Sequence, residues 1–234
     1  MMLNRIRRTY ALWKLRGDNY YCPVCKSGFI TFLPGGPSKR PGALCPNCHS
    51  LERHRFLWLM LQSFWKEEIL PKSGKMLHFA PEPCLAKIFK KNFEYVSADL
   101  DPKYAMVEMD ITDIKFPNES FGVIICNHVL EHIPDDRKAM TELYRVLKKG
   151  GWASLQVPMK GETTLEDASI TTPEGREKAF GQNDHVRWYG SDYYQRLQEA
   201  GFSTHIYKKT DLVSEEENKR FSLATENELV IVRK

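Results

Sequence analysis

Cys22-Pro-Val-Cys25 and Cys45-Pro-Asn-Cys48, nineteen residues apart, constrain this chain more than any other feature. Two thiolates separated by two residues grip one tetrahedral ion from a single turn, and a second such turn completes a closed four-sulfur shell. The proline after each first cysteine fixes φ and stiffens the turn. Pro34-Gly35-Gly36-Pro37 supplies a loop between two short strands, one of them over Gly28-Phe29-Ile30-Thr31-Phe32. The pattern predicts a ribbon in which Cys22, Cys25, Cys45 and Cys48 hold a structural Zn²⁺. A closed shell leaves no position for substrate, so the ion folds a module too small for its own core. His49 and His54 follow the second pair, and with four cysteines available they are read as surface or interface residues rather than ligands.

Charge is distributed unevenly around that module. The chain of 234 residues has a formal net charge of +4, but residues 1–60 hold 10 Lys+Arg against 2 Asp+Glu. A basic first quarter followed by an acidic body can mark an anionic partner. Four thiolates and one Zn²⁺ contribute −2 together, so part of the asymmetry is balance for the metal. The apolar run Phe56–Leu61 is far shorter than the roughly 20 residues a membrane span needs. Met1–Arg16 is basic without the apolar core of a secretory signal, so a cytoplasmic protein with reduced thiols is expected. Cys84 and Cys126 read as small buried side chains rather than nucleophiles.

The periodicity predicts a connecting helix over Leu51–Trp65, with Phe56, Leu59, Met60, Phe64 and Trp65 on its apolar face, ended by Pro71-Lys72-Ser73-Gly74. From Lys75 onward strand-like runs alternate with helical patterns. Met76–Ala80, Tyr95–Ala98, Met106–Ile111, Val123–Cys126, Trp152–Val157, His205–Lys208 and Leu229–Val232 are the strands, the last two with no helix between them. Leu85–Lys91, Asp135–Leu147 and Asp192–Ala200 are the helices. Lys148-Lys149-Gly150-Gly151 suits a helix C-terminus. This alternation predicts an α/β fold with a mainly parallel seven-stranded sheet. The organisation expected is residues 1–50 as basic segment and ribbon, 51–74 as helix and linker, and 75–234 as the α/β domain. Within it, 159–190 is an aperiodic insertion of the length expected for a lid or substrate element.

In open α/β sheets ligands bind beyond the carboxyl ends of the strands. Those ends carry Met109-Asp110-Ile111, Phe116-Pro117-Asn118-Glu119-Ser120-Phe121-Gly122, Asn127-His128-Val129-Leu130-Glu131-His132-Ile133 and Arg145-Val146-Leu147-Lys148-Lys149-Gly150-Gly151. In that order they resemble the type 11 family of class I S-adenosylmethionine-dependent methyltransferases, from about Met76 to Val157. The resemblance implies the Rossmann-like methyltransferase sandwich and S-adenosyl-L-methionine as cofactor. It also implies that Asp99 accepts hydrogen bonds from the ribose diol, with Asp101 as the alternative. Asp110 would then take the adenine amino group while Ile111 packs on the ring, and Asn127 and His128 would line the methyl-donor side. The family's first loop is usually glycine-rich. Here His78-Phe79-Ala80-Pro81-Glu82-Pro83-Cys84 contains no glycine, so Ala80 would have to approach the cofactor and Glu82 could meet its amino group.

A general base helps methyl transfer when the acceptor is a hydroxyl, thiol or protonated amine. His128 and His132 are candidates, with Glu131 on the same face if a helix begins there; the alternative is that Glu131 braces the turn and His132 packs. In Asp184-His185-Val186-Arg187-Trp188-Tyr189, His185 is a further candidate base, and Arg187 and Tyr189 are candidate substrate residues. The expected function is methyl transfer to an unidentified acceptor: a small molecule, lipid or glycan intermediate. One alternative is an RNA methyltransferase whose ribbon reads RNA, with Trp13, Tyr20, Tyr21, Phe29 and Phe32 as stacking partners. The other is a non-catalytic binding protein that retains the fold.

Overall fold

The computed structural model describes residues 10, 12–72, 74–223 and 227–234. Most of the basic stretch Met1–Arg16, and Ser73 of the linker, lie outside them. In chain order the elements are β1 Arg16–Cys22, β2 Ser27–Phe29, β3 Leu33–Gly35, β4 Arg40–Leu44, α1 Glu52–Lys66, β5 Lys75–Phe79, α2 Pro83–Asn92, β6 Glu94–Asp99, β7 Val107–Glu108 and β8 Phe121–Ile125. A 3-10 turn at Leu130–His132 leads to α3 Asp136–Val146 and β9 Leu147–Ser154. Then come β10 Leu165–Glu166, α4 Pro173–Phe180, β11 Arg187–Trp188, α5 Tyr193–Glu199, β12 Ser203–Lys208, α6 Lys209–Leu212, α7 Glu215–Phe221 and β13 Glu228–Arg233. The chain gathers into two compact units, neither continuous in sequence. The first joins the chain up to Leu70 with Glu82–Ile88 and Tyr207–Leu229; the second joins Pro71–Pro81, Phe89–Ile206 and Val230–Lys234.

In the first unit β1 pairs antiparallel with β2, and β3 with β4. The strand expected over Gly28–Phe32 is broken. Phe29 and Phe32 are both buried, with ring centroids 5.9 Å apart. Residues three apart in a strand point to opposite faces, so the chain bends between them. Helix α1 buries Phe56, Met60 and Phe64 at four-residue spacing, and the Phe64 ring meets Tyr207 at 4.5 Å. Its N-cap is Leu51, whose side chain cannot accept a hydrogen bond. His54 Nδ1 instead accepts from the Leu51 N–H at 3.1 Å. α7 begins with the Ser214/Glu217 capping box, both side chains bonding back across the first turn. This corrects the expectation of no helix between the last two strands: α6 and α7 lie between β12 and β13.

The second unit is built on a seven-stranded sheet of order β12-β13-β9-β8-β5-β6-β7. β5–β6, β6–β7, β5–β8 and β8–β9 are parallel, while β13 runs antiparallel to β9. β8 reads as a nearly continuous apolar run because both of its faces are covered, with Leu77, Ile124, Leu143, Val146 and Ala153 in one buried cluster. After β5 the chain builds β6 and β7 on one side, then returns to place β8 on the other. That reversal opens a crevice at the carboxyl ends of β5 and β8.

Two expectations are revised here. Lys148-Lys149-Gly150-Gly151 does not close a helix, because α3 ends at Val146 and these residues form the irregular entry to β9, with Gly150 at φ 73°. The aperiodic 159–190 segment is ordered by local chemistry rather than hydrophobic period. Thr172 caps α4 from its side chain, Pro173 opens it, Gly181 at φ 83° ends it, and β10 pairs with β11.

Helix α3 also braces the loop before β8. Arg145 bonds the Ile114 and Phe116 carbonyls at 2.8 and 2.9 Å, and Glu142 accepts from the Ile114 N–H at 2.9 Å. The hydrogen bond from Arg145 holds the Glu142 carboxyl below the usual range. A depressed folded pKa contributes stability above the unfolded value, near 4.3, that is lost as pH falls through the folded one. Glu142→Gln therefore lowers urea stability at pH 7 and leaves a smaller difference between pH 7 and pH 3 than wild type shows. An unchanged pH profile would contradict the assignment.

Candidate functional site

The four ribbon cysteines converge in the first unit. Cys22 and Cys48 sulfurs are 3.6 Å apart, Cys25 and Cys45 3.7 Å, and all four lie within 4.8 Å of one another. Tetrahedral bonds of about 2.3 Å to Zn²⁺ place sulfurs about 3.8 Å apart, so the donor set fits the ion. The Ser50 hydroxyl lies 3.3 Å from Cys22 Sγ and 3.2 Å from Cys48 Sγ.

Arg55, unremarked in the sequence, is wholly buried beside this cluster and stacks on Phe32 at 4.5 Å. Its guanidinium donates to the carbonyls of Ala43, Ser50, Phe221 and Ser222. Burial draws its pKa down while the neighbouring thiolates oppose that pull. A fixed cation here would offset the double negative charge of four thiolates around a Zn²⁺ ion. His49 is exposed and His54 is the helix cap, so neither is among the clustered ligands. The aromatic set proposed for RNA is largely unavailable. Phe29 and Phe32 are buried, Tyr20 packs on Phe32 at 5.4 Å, and Tyr21 packs on Phe221, leaving Trp13 67% exposed.

In the second unit the strand-end crevice is a cavity of about 380 Å³. It brings together Ala80, Asp99, Asp110, Ile111, His128 and His132, six of the residues singled out in the sequence, with Phe79, Leu100, Met109, Val129, Ile133 and Asp184. Two lining residues hold left-handed backbone without being glycine: Ala80 at φ 44° and His128 at φ 56°. Each such residue costs about 1–2 kcal/mol, and strain of this kind collects at binding sites. Ala80 thus adopts at the first loop a conformation in which glycine would be unstrained. Its N–H bonds the Ala98 carbonyl at 2.9 Å. Asp99 Oδ1 accepts from the Asp101 N–H at 3.0 Å, and Asp101 Oδ1 from the Lys103 N–H, so Asp101 serves a turn. Asp110 Oδ1 accepts from both the N–H and the hydroxyl of Thr112, which fixes the carboxylate's direction. Leu100 was not foreseen. Its signal was an apolar side chain left 65% exposed directly after the strand-end acid.

Other expected residues do different work. Glu82 belongs to the first unit, where its carboxylate faces His54 Nε2 at 3.8 Å. Asn127 is buried, and its Oδ1 accepts from the Ser154 hydroxyl and the Gln156 N–H, tying the end of β8 to β9. Arg187 and Tyr189, expected to bind substrate, are 3% and 0% exposed. Arg187 donates to the carbonyls of Leu130, Ile133 and Pro134 and to Glu166 at 2.9 Å. The Tyr189 hydroxyl donates to Asp136 at 2.6 Å, and burial beside that carboxylate pushes its pKa up. Arg196 completes the network, 3.0 Å from Asp136 and 2.8 Å from Glu166. Both substrate assignments are therefore corrected: the fork suited to an anion is filled by backbone carbonyls and carboxylates of the protein itself. Cys84 is pushed up to about 12 by burial, which leaves it no nucleophile.

The clamp holds the 3-10 turn where Glu131 and His132 sit. Glu131 is 1% exposed; its Oε1 lies 3.5 Å from His128 Nδ1, and its Oε2 has no hydrogen-bond partner among the described residues. His185 is 3% exposed, and burial lowers its pKa, so the ring is neutral near pH 7.

Residues 75–155 match the family model of the Methyltransf_11 methyltransferase domain. Over that span the chain carries a methyltransferase domain. Among solved structures, YcgJ from Bacillus subtilis is 15% identical, with 77% of this chain and 99% of that one covered and a TM-score of 0.51. An S-adenosylmethionine-dependent methyltransferase from Archaeoglobus fulgidus is 13% identical over 76% and 94% of the chains, with a TM-score of 0.51. A Mesorhizobium loti methyltransferase of the same description is 15% identical over 75% and 100%, with a TM-score of 0.50. They share this fold. No curated protein matches the sequence. Among the described residues no helix is long and apolar enough to cross a membrane.

Arg187→Met removes the donors of three carbonyls and the ion pairs with Asp136 and Glu166. It is expected to cost about 3 kcal/mol in chemical denaturation. A change below 1 kcal/mol would show that the clamp is not structural.

Proposed function

We propose that this protein transfers the methyl group of S-adenosyl-L-methionine to a small molecule, lipid or glycan intermediate. The observation that carries the reading is the cavity itself. Within a methyltransferase domain, it joins two strand-end carboxylates, Asp99 and Asp110, to two strained backbone positions. A cavity of this volume suits a nucleoside-sized ligand. Asp99 would accept hydrogen bonds from the ribose diol, a task for which a carboxylate's two oxygens are suited. Asp110, already aimed by Thr112, would accept from the adenine amino group, with Ile111 and the exposed Leu100 against the ring. The cofactor, when bound, supplies an electrophilic methyl group on a sulfonium.

The remaining work is alignment and proton removal. His128 borders the cavity with Nδ1 turned toward Glu131, so a proton held at Nδ1 leaves Nε2 to take one from the acceptor. The 3.5 Å gap between Nδ1 and the Glu131 carboxylate closes by a small rotation of either side chain. The 159–190 segment, as the lid or substrate element, would shield the reaction from water. The burial of Phe29 and Phe32 supports a small acceptor over RNA, because a stacking platform for bases needs exposed rings.

For the ribbon we propose a structural Zn²⁺ on Cys22, Cys25, Cys45 and Cys48. Thiolate ligation of this kind fits a reducing compartment, which supports the cytoplasm as its location.

Calorimetry on the zinc-loaded chain tests the cofactor reading. S-adenosylmethionine binds, and Asp99→Ala weakens it by about tenfold or more, as expected for loss of hydrogen bonds to a charged group. Absence of binding to wild type would overturn it. Chelation, or Cys45→Ser, should abolish hydrogen-exchange protection in residues 16–50, because a structural ion of this kind contributes about 10 kcal/mol or more to folding. Retained protection would refute the structural role.

A further inference from the structure

The structure points to a second metal site that the methyltransferase fold does not itself require. We propose that Glu131, His132 and His185 bind a divalent transition-metal ion at the edge of the cofactor cavity. One ligand atom from each of the three lies within 4.8 Å of the others. Metal bonds of about 2.1 Å place neighbouring ligand atoms about 3.0–3.5 Å apart, so side-chain rotations of an ångström close the set.

Two observations independent of that proximity point to a ligand. Glu131 Oε2 is a buried carboxylate oxygen with no hydrogen-bond partner among the described residues, although the residue is 1% exposed. Leaving such an atom unmatched costs several kcal/mol unless a cation meets it. Each histidine has a hydrogen-bond acceptor beside its Nδ1. His185 Nδ1 lies 3.2 Å from the Phe180 carbonyl, and His132 Nδ1 lies 3.3 Å from the Asp184 carbonyl and 3.4 Å from its carboxylate. A proton held at each Nδ1 leaves each Nε2 lone pair for a metal, the arrangement that second partners impose on ligating imidazoles. The rings stand perpendicular at 87° with centroids 4.8 Å apart, so the two histidines face each other without stacking.

Two imidazoles and one carboxylate suit Zn²⁺, Co²⁺ or Fe²⁺ better than Mg²⁺ or Ca²⁺, which prefer all-oxygen shells. Three protein ligands leave coordination positions open, unlike the closed thiolate centre. His132 lines the cavity as well, so an open position is suited to an oxygen of the methyl acceptor. That last step rests on the methyl-transfer reading; the ion site does not. Glu131 can serve both groups, with Oε1 toward His128 and Oε2 toward the ion.

The test uses the full chain, loaded with zinc at its cysteines, dialysed against Co²⁺ in the absence of methyl donor. Metal analysis and visible absorption then count the ions and report their ligands. One Co²⁺ per chain beyond the thiolate-bound ion, with ligand-field bands but no sulfur charge-transfer band, is expected. Glu131→Gln and His132→Gln should each weaken it about tenfold or more. His132 is 32% exposed on its side chain, so its variant remains informative if the buried Glu131 change impairs folding. No additional Co²⁺ in wild type, or a second ion held equally by both variants, overturns the proposal. S-adenosylmethionine affinity measured on the same wild-type sample separates the two readings: cofactor binding without Co²⁺ refutes the ion site alone.

Discussion

The turn from Leu130 to Pro134 carries the groups most suited to chemistry, and one buried guanidinium holds it. Arg187 reaches three carbonyls of that turn and lies beside Asp136, which also receives Tyr189 and Arg196. A buried cation with so many acceptors tolerates one position of the chain. Glu131 and His132 are therefore displayed on a scaffold set by charge rather than by a regular helix, and one oxygen of the Glu131 carboxylate is held without a hydrogen-bond partner among the described residues. Removing the clamp would release the turn, its buried carboxylate and the rim of the cavity together.

The first unit solves a parallel problem with a parallel device. Four thiolates around a zinc ion would leave a net negative charge in a module with little apolar volume. Arg55 supplies a cation beside it and fastens Ala43 and Ser50 to the segment at Phe221 and Ser222. In both units an arginine inside the protein, hydrogen-bonded mainly to carbonyl oxygens, orders a segment that hydrophobic packing alone leaves undefined.

This explains what could be read from the sequence. The sheet strands were legible because their apolar runs report burial on both faces, and Cys22, Cys25, Cys45 and Cys48 because ligand spacing is local. The positions of Asp99, Asp110 and Ile111 at the crevice could be read because strand ends fall where apolar runs stop. Arg187 and Tyr189 were misread because the same residue types serve a substrate or a buried network, and only tertiary burial tells them apart. His185 joins Glu131 and His132 across more than fifty residues, a meeting no local period encodes. α6, α7 and α4 escaped because short helices are marked by caps such as Ser214 and Thr172, not by a stripe of apolar residues.

The central claim is that a carboxylate-lined crevice at the strand ends of a methyltransferase domain serves methyl transfer. Its most direct test supplies methyl-labelled S-adenosylmethionine and the zinc-loaded chain to an extract, then separates small molecules, lipids, glycans, RNA and protein. The account predicts label in the small-molecule, lipid or glycan fraction with wild type and its loss with Asp99→Ala. Label confined to RNA or protein would contradict the acceptor class, and equal labelling by Asp99→Ala would contradict the site.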